Sequence, residues 1–188
     1  MSGSPEETSA TSAAATAVAD PPATDADSAQ PLLSEATGEG CKRILLVASG
    51  GGHWVQLKRL WSAFEGNELA VVTTQPGYRH EVDCERFHVV TDANLQAKFR
   101  LVRLAMQMAW LVLRERPDVV VSTGAAPGYF ALRFGKWLRA RTIWIDSIAN
   151  AEQLSVSGAK VGRYADLWLT QWPHLAEDEG PTYAGSVI

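Results

Sequence analysis

The sequence predicts an α/β domain, a parallel sheet with helices on both faces, and three observations lead there. Short, largely apolar stretches at 44–47, 69–72, 118–121 and 142–145 have the length and composition of strands buried on both faces. Small or polar residues follow each run, at 49–52, 73–77, 122–128 and 146–147. After the first and third of these loops, helical spacing resumes, as βα units require.

The first unit, 44–57, reads ILLVASGGGHWVQL. Ser49, Gly50, Gly51 and Gly52 let the backbone turn sharply and approach another molecule without a Cβ in the way. From His53 the chain is expected to be helical, with Val55, Leu57 and Leu60 buried. The first N–H groups of such a helix point into the turn and, with the helix dipole, make a seat for phosphate or carboxylate. His53 on the first helical turn either faces that ligand as a neutral base or caps its own loop.

Composition narrows the class. The 188 residues are 46% hydrophobic and 20% charged with a net charge of −4, which fits one globular domain and gives no sign of nucleic-acid binding. Cys41 and Cys84 lack metal-like or redox-like spacing, which suggests a reducing, cytoplasmic compartment. Residues 1–40 carry no Lys or Arg and almost no large apolar side chain. That stretch is expected to be disordered, because it cannot bury enough surface to offset the entropy of ordering it, and 41–188 to be the domain. It also lacks the positive start and apolar centre of a signal peptide.

Along the chain, residues 61–66 close the first helix and 69–72 form the second strand. A dinucleotide-binding domain places an acidic residue near the end of that strand and a glycine where Val55 stands; both are missing, which argues against a NAD- or FAD-dependent oxidoreductase. Residues 87–90 form a third short strand. The helix expected at 99–114 has too much apolar surface. Arg100, Arg103, Gln107 and Arg114 share one narrow stripe, and apolar side chains, Phe99, Met106 and Trp110 among them, cover most of the rest. About sixteen residues at ~1.5 Å each reach ~24 Å, short of a ~30 Å bilayer core. With Lys98, Arg100, Arg103, Arg114 and Arg116 as a cationic rim, the helix suits an anionic membrane interface; a helix sandwiched inside the domain or against a subunit is the alternative.

Pro117 ends that helix and 118–121 begin the next strand. Ser122, Thr123, Gly124, Ala125 and Ala126 form a second small-residue loop before Pro127, which suits the first turn of a helix. In a parallel sheet both loops lie at the carboxyl ends of strands, hence on one rim, where ligands bind. The helix at 127–138 is expected to bury Phe130, Phe134 and Trp137. Strand 142–145 leads to Asp146 and Ser147, then a polar loop at 148–158. Strand 167–169 precedes a turn of Gln171, Trp172, Pro173 and His174, and 182–185 leads to the end.

Five collinear motifs, ASGGGHWVQL, PDVVVSTGAAPGYF, TIWIDSIANAEQLSVSG, ADLWLTQWPHL and YAGSVI, resemble the PssD/CpsF-type bacterial polysaccharide-biosynthesis proteins, relatives of the Alg-fourteen-type subunit of dolichol-linked oligosaccharide assembly. The resemblance covers about 42–188. It implies the amino-terminal, acceptor-binding, Rossmann-like half of a GT-B glycosyltransferase. A separate PssE-type or Alg-thirteen-type partner holds the nucleotide sugar. Ser186, Val187 and Ile188 stand where a single-chain enzyme such as MurG would cross into its second domain.

The resemblance further implies an inverting UDP-sugar transferase, active only with its partner. It would pass a glucuronosyl or other hexosyl group to a polyprenyl-diphosphate-linked sugar at the cytoplasmic face of the membrane, in exopolysaccharide or capsule biosynthesis. Ser49–Gly52 and 122–126 would hold the acceptor and its diphosphate. His53 would be the base, with Asp146 a second, lower-ranked catalytic residue. Gln171 and Trp172 would lie near the subunit interface or the cleft floor. No cofactor or metal is implied, and none of the five motifs contains Asp-x-Asp. Relatives typically carry Glu at position 146 and often Arg at 150; Asp146 has a shorter reach, and Asn150 removes a cation. The rival reading is a non-catalytic membrane anchor or enhancer of a partner transferase.

Overall fold

The computed structural model describes residues 40–93 and 97–187. The disordered tail expected for 1–40 therefore lies, apart from Gly40, outside the described residues. Strands β1 (Arg43–Val47), β2 (Glu68–Thr73), β3 (Arg86–Val89), β4 (Val119–Ser122), β5 (Arg141–Ile145), β6 (Leu167–Thr170) and β7 (Thr182–Tyr183) make one sheet. Its order is β3-β2-β1-β4-β5-β6-β7, and every neighbouring pair is parallel. Helices α1 (Gly52–Arg59), α2 (Lys98–Glu115), α3 (Ala125–Trp137) and α4 (Val156–Val161) connect the strands, with shorter 3₁₀ turns between.

The apolar runs become central strands because their alternate residues fill two different cores. Leu45 and Val47 of β1 join Val72, Leu104, Met108 and Leu132 on the face covered by α2 and α3. Ile44 and Leu46 join Trp54, Leu57, Val71 and Val121 on the α1 face. A strand with a period of two between two apolar layers has no polar face to show, so its sequence reads as a continuous run. The two central strands are tied together at their starts: Arg43 pairs with Asp118 at 3.1 Å, and the Asp118 carboxylate also accepts from the Arg43 N–H at 2.9 Å. Those bonds hold the Asp118 carboxyl below its ordinary range.

The burial expectations for α1 and α3 are corrected. Val55 is half exposed and Leu60 only partly buried, while Trp54, Gln56 and Leu57 face the sheet. The predicted set 55/57/60 has steps of two and three, whereas 54/57 has the i, i+3 step that one helix face requires. Trp54 also has a private socket: its ring stacks on Tyr78 at 4.6 Å and its indole N–H donates to Glu81 at 3.0 Å. Trp137 is exposed, standing on the last residue of α3, edge-on to Phe134; Phe130 and Phe134 are only partly buried. Helix α3 begins two residues before Pro127, the turn being made by Gly124 at φ 140° and Ala125 at φ 64°.

Candidate functional site

The strand order reverses direction between β1 and β4, so the loops leaving these strands diverge and open a crevice at their carboxyl ends. Both predicted small-residue loops lie there, since Val47 and Ser122 are register partners at the strand ends. The expectation of a common rim holds.

What joins the loops is a reciprocal pair. His53 Nδ1 lies 2.8 Å from the Thr123 carbonyl oxygen, and the Thr123 hydroxyl donates to the His53 carbonyl oxygen at 2.8 Å. A carbonyl oxygen only accepts, so Nδ1 carries the proton. In the neutral ring the lone pair is therefore on Nε2, which has no partner among the described residues. The ring lies over Gly124, where a Cβ would sit 2.4 Å from Cε1 and 2.5 Å from Nδ1 of the imidazole. Gly124 is thus required twice, by its positive φ and by the ring it supports.

The glycine loop is braced from the segment that follows β2. Gly51, at φ 67°, donates its N–H to the Tyr78 hydroxyl at 3.0 Å, and the Gln75 side chain packs against Gly50. Gly51 and Gly52 are exposed and Ser49 and Gly50 partly so, leaving this loop open to a ligand. Ser122 and Thr123, by contrast, are fully buried. The Ser122 hydroxyl accepts from the Gly124 N–H at 3.1 Å, and Gly128 is needed because a Cβ there would lie 1.8 Å from that oxygen. These two side chains build the turn and do not line an acceptor surface; Ala125 and Ala126 remain partly accessible.

Asp146 belongs to a second cluster, at the ends of β5 and β6. It is 2% exposed and accepts from the Ser155 N–H at 2.9 Å, the Ser155 hydroxyl at 2.7 Å and the Trp144 indole at 3.4 Å. Ser155 also caps α4 by accepting from the Gly158 N–H. The Asp146 carbonyl receives the Gln56 amide at 3.2 Å and the Gln171 amide at 2.9 Å. The carboxylate therefore clasps the 148–158 loop, and this geometry gives it a positioning role. Gln171 is likewise interior: its Oε1 accepts from the Val187 N–H at 2.7 Å, and only partly buried Trp172, donating to Ile148 O at 2.9 Å, approaches a surface. The sequence named Asp146 and Gln171 of this cluster but not Ser155, whose place ahead of a short helix is a local capping signal; nothing local marks Tyr78 or Gln56.

Helix α2 has two apolar faces. Leu104, Met108, Leu111 and Val112 are buried in the core. Phe99 at 94% exposure, Met106 at 69%, and Val102, Trp110 and Leu113 form a second stripe facing outward. Lys98, Arg100, Arg103 and Arg114 flank it, with the Arg114 guanidinium 5.0 Å from the Trp110 ring centre. Gln107 leaves the expected polar stripe, because its side chain turns in to accept the Thr91 N–H at 2.9 Å. Among the described residues no helix is long and apolar enough to cross a membrane, and no group of His, Cys, Asp and Glu side chains is arranged to hold a metal ion.

Comparison with known proteins agrees with this architecture. The chain is similar to the UDP-N-acetylglucosamine transferase subunit ALG14 of Eremothecium gossypii, 27% identical over 168 residues that cover 72% of this chain and 75% of the relative. It is 37% identical to the Yarrowia lipolytica subunit of the same name over 73 residues, which cover 36% of this chain and about a third of that protein. Among solved structures, Acinetobacter baumannii MurG superposes with a TM-score of 0.63 at 12% identity, over 76% of this chain and 45% of MurG. The UDP-N-acetylglucosamine 2-epimerase of Rickettsia bellii superposes with a TM-score of 0.60 at 12% identity, over 78% of this chain and 45% of that one. This chain thus spans less than half the length of either solved protein, and the likeness concerns the fold. Residues 67–187 match the family described as oligosaccharide biosynthesis protein Alg14 like, a match over more than half the sequence, and the chain belongs to that family.

Proposed function

We propose that this chain is the acceptor-binding, membrane-associating subunit of a two-chain, inverting UDP-sugar glycosyltransferase. His53 Nε2 takes the proton from the acceptor hydroxyl as that oxygen attacks the anomeric carbon of the donor. The new glycosidic C–O bond forms as the bond to UDP breaks, and UDP leaves with the electron pair from the opposite face. The observation carrying this reading is the Nδ1–H bond to Thr123, which fixes the tautomer a general base needs. Ser49 to Gly52 and the start of α3, with Ala125 and Ala126, receive the acceptor and its diphosphate. The nucleotide sugar is held mainly by a PssE-type or Alg-thirteen-type partner, and no other cofactor is invoked.

The acceptor in this reading is a polyprenyl-diphosphate-linked sugar, of exopolysaccharide or capsule assembly if the PssD/CpsF-type resemblance is followed. The names of the relatives make N-acetylglucosamine the first donor to try. The outward stripe of α2 supports peripheral attachment to a membrane, and the reading assigns it to the cytoplasmic face.

The test is sugar transfer from a panel of UDP-sugars by this chain alone, the partner alone and the two together. Activity only in the combination upholds the split enzyme. Activity of the partner alone makes this chain an anchor or enhancer and withdraws the role given to His53.

A further inference from the structure

At the end of the sheet opposite the His53 rim, a cavity of about 510 Å³ opens between the carboxyl ends of α2 and α3. Its walls include Leu113, Leu138, Arg116, Arg139 and the paired Arg43 and Asp118. Arg116 and Arg139 both have a left-handed backbone, φ 45° and 61°, just past the ends of their helices. Glycine is the usual residue at such a place, because any Cβ there is crowded by the following carbonyl. Two arginines are held instead, one at each lip of the same cavity.

Capping does not account for them. The carbonyls at the two helix ends already have partners from the main chain: Val112 O receives Arg116 N–H, Gly135 O receives Leu138 and Ala140 N–H, and Lys136 O receives Arg139 N–H. Neither the Arg116 nor the Arg139 side chain has a hydrogen-bonding or charged partner among the described residues, and both are exposed. Arg43 and Asp118 neutralise each other, so the cavity presents two uncompensated positive charges. Leu113 is at once the last residue of the outward α2 stripe and part of the cavity wall, and exposed Trp137 and Leu138 extend that apolar surface on α3. The cavity is a basic pocket at the edge of the apolar surface.

We propose that this pocket seats the phosphate-bearing headgroup of an anionic phospholipid, Arg116 and Arg139 binding its phosphate while Leu113, Trp137 and Leu138 rest among the acyl chains. The proposal rests on the membrane reading above and adds to it a discrete site, at the opposite end of the sheet from the acceptor loops.

The left-handed backbone makes the test clean. In the double variant Arg116→Gly/Arg139→Gly, glycine suits both φ values, so the melting temperature is expected to hold or rise. Binding of the full chain is measured by co-sedimentation with phosphatidylcholine vesicles and with vesicles also containing phosphatidylglycerol. The double variant is expected to lose about tenfold or more in affinity for the anionic vesicles and little for the neutral ones. Arg100→Gln/Arg103→Gln, which removes as many charges from the other end of α2, is expected to lose less. An equal loss from both pairs, or undiminished anionic preference without Arg116 and Arg139, overturns the site and leaves the membrane reading standing. A lower melting temperature with unchanged binding makes the arginines structural and likewise overturns it. Failure of the unaltered chain to bind either vesicle overturns the membrane reading and the site together.

Discussion

Two polar clusters sit on the same rim of the sheet, one where β1 meets β4 and one where β5 meets β6, and they differ in what they leave unbonded. At the first, Thr123 engages one ring nitrogen of His53 and leaves the other free. At the second, Asp146 is closed in by Ser155 and Trp144, and its carbonyl by Gln56 and Gln171. A buried polar group with its bonds satisfied stabilises one arrangement of the chain. A group held rigidly by one atom while another remains open is in a position to react. The contrast assigns chemistry to His53 and architecture to Asp146, although both are polar residues following buried strands.

The comparison breaks first at His53. With the partner present, His53→Ala is expected to lower turnover by about 10²–10⁴-fold, with the melting temperature falling only modestly. Near-normal turnover would sink the catalytic assignment. Gly124→Ala probes the same junction through its support: the added methyl group meets the imidazole at a positive φ, so stability is expected to drop by about 1–3 kcal/mol, in denaturant titration, and turnover to fall with it.

Asp146→Asn examines the other side of the contrast. Its amide cannot accept from both Ser155 donors, and a loss of about 1–3 kcal/mol in stability is expected, with turnover per folded molecule largely retained. A shift in the pH profile of turnover instead would return Asp146 to the chemistry. Tyr78→Phe frees the Gly51 N–H, at a cost of about 0.5–1.5 kcal/mol; acceptor KM is expected to change more than kcat if that loop holds the acceptor.

The smallest effect belongs to Asp166, outside both clusters. Burial acts to raise its pKa, but bonds from Lys136 and from the Thr142 hydroxyl and N–H outweigh that and hold it below the ordinary carboxylate range. A depressed carboxylate stabilises the fold above its unfolded pKa, near ~3.9, and loses that contribution as pH falls through the folded value. The melting temperatures of Asp166→Asn and the unaltered chain should therefore converge on acidification below about pH 4. A gap of constant size across that range would show the carboxylate's charge to be immaterial.

The sheet was legible because strands buried on both faces leave a signal that needs no partner to interpret: 44–47, 69–72 and 119–121 are apolar throughout. Glycine loops were legible for a similar reason, since Gly51 and Gly124 adopt positive φ locally. The excess apolar breadth of α2 also read through, because periodicity counts side chains whether or not anything covers them. Burial around α1 was misread at Val55, where helical phase depends on Trp54 finding a socket under Tyr78, a residue 24 positions away in a different loop.

Sequence by itself determined the strand positions, the two glycine-bearing turns, the doubly apolar helix and the presence of a histidine at the first turn, all set by short-range sterics and by patterning within single elements. Tertiary structure decided which polar residues are free to act. Ser122, Thr123, Asp146 and Gln171 resemble site residues in one dimension and turn out to be engaged with partners between two and 70 positions away. Whether a hydrogen-bonding atom is left open depends on every neighbour the fold brings to it, and that sum exists only in three dimensions.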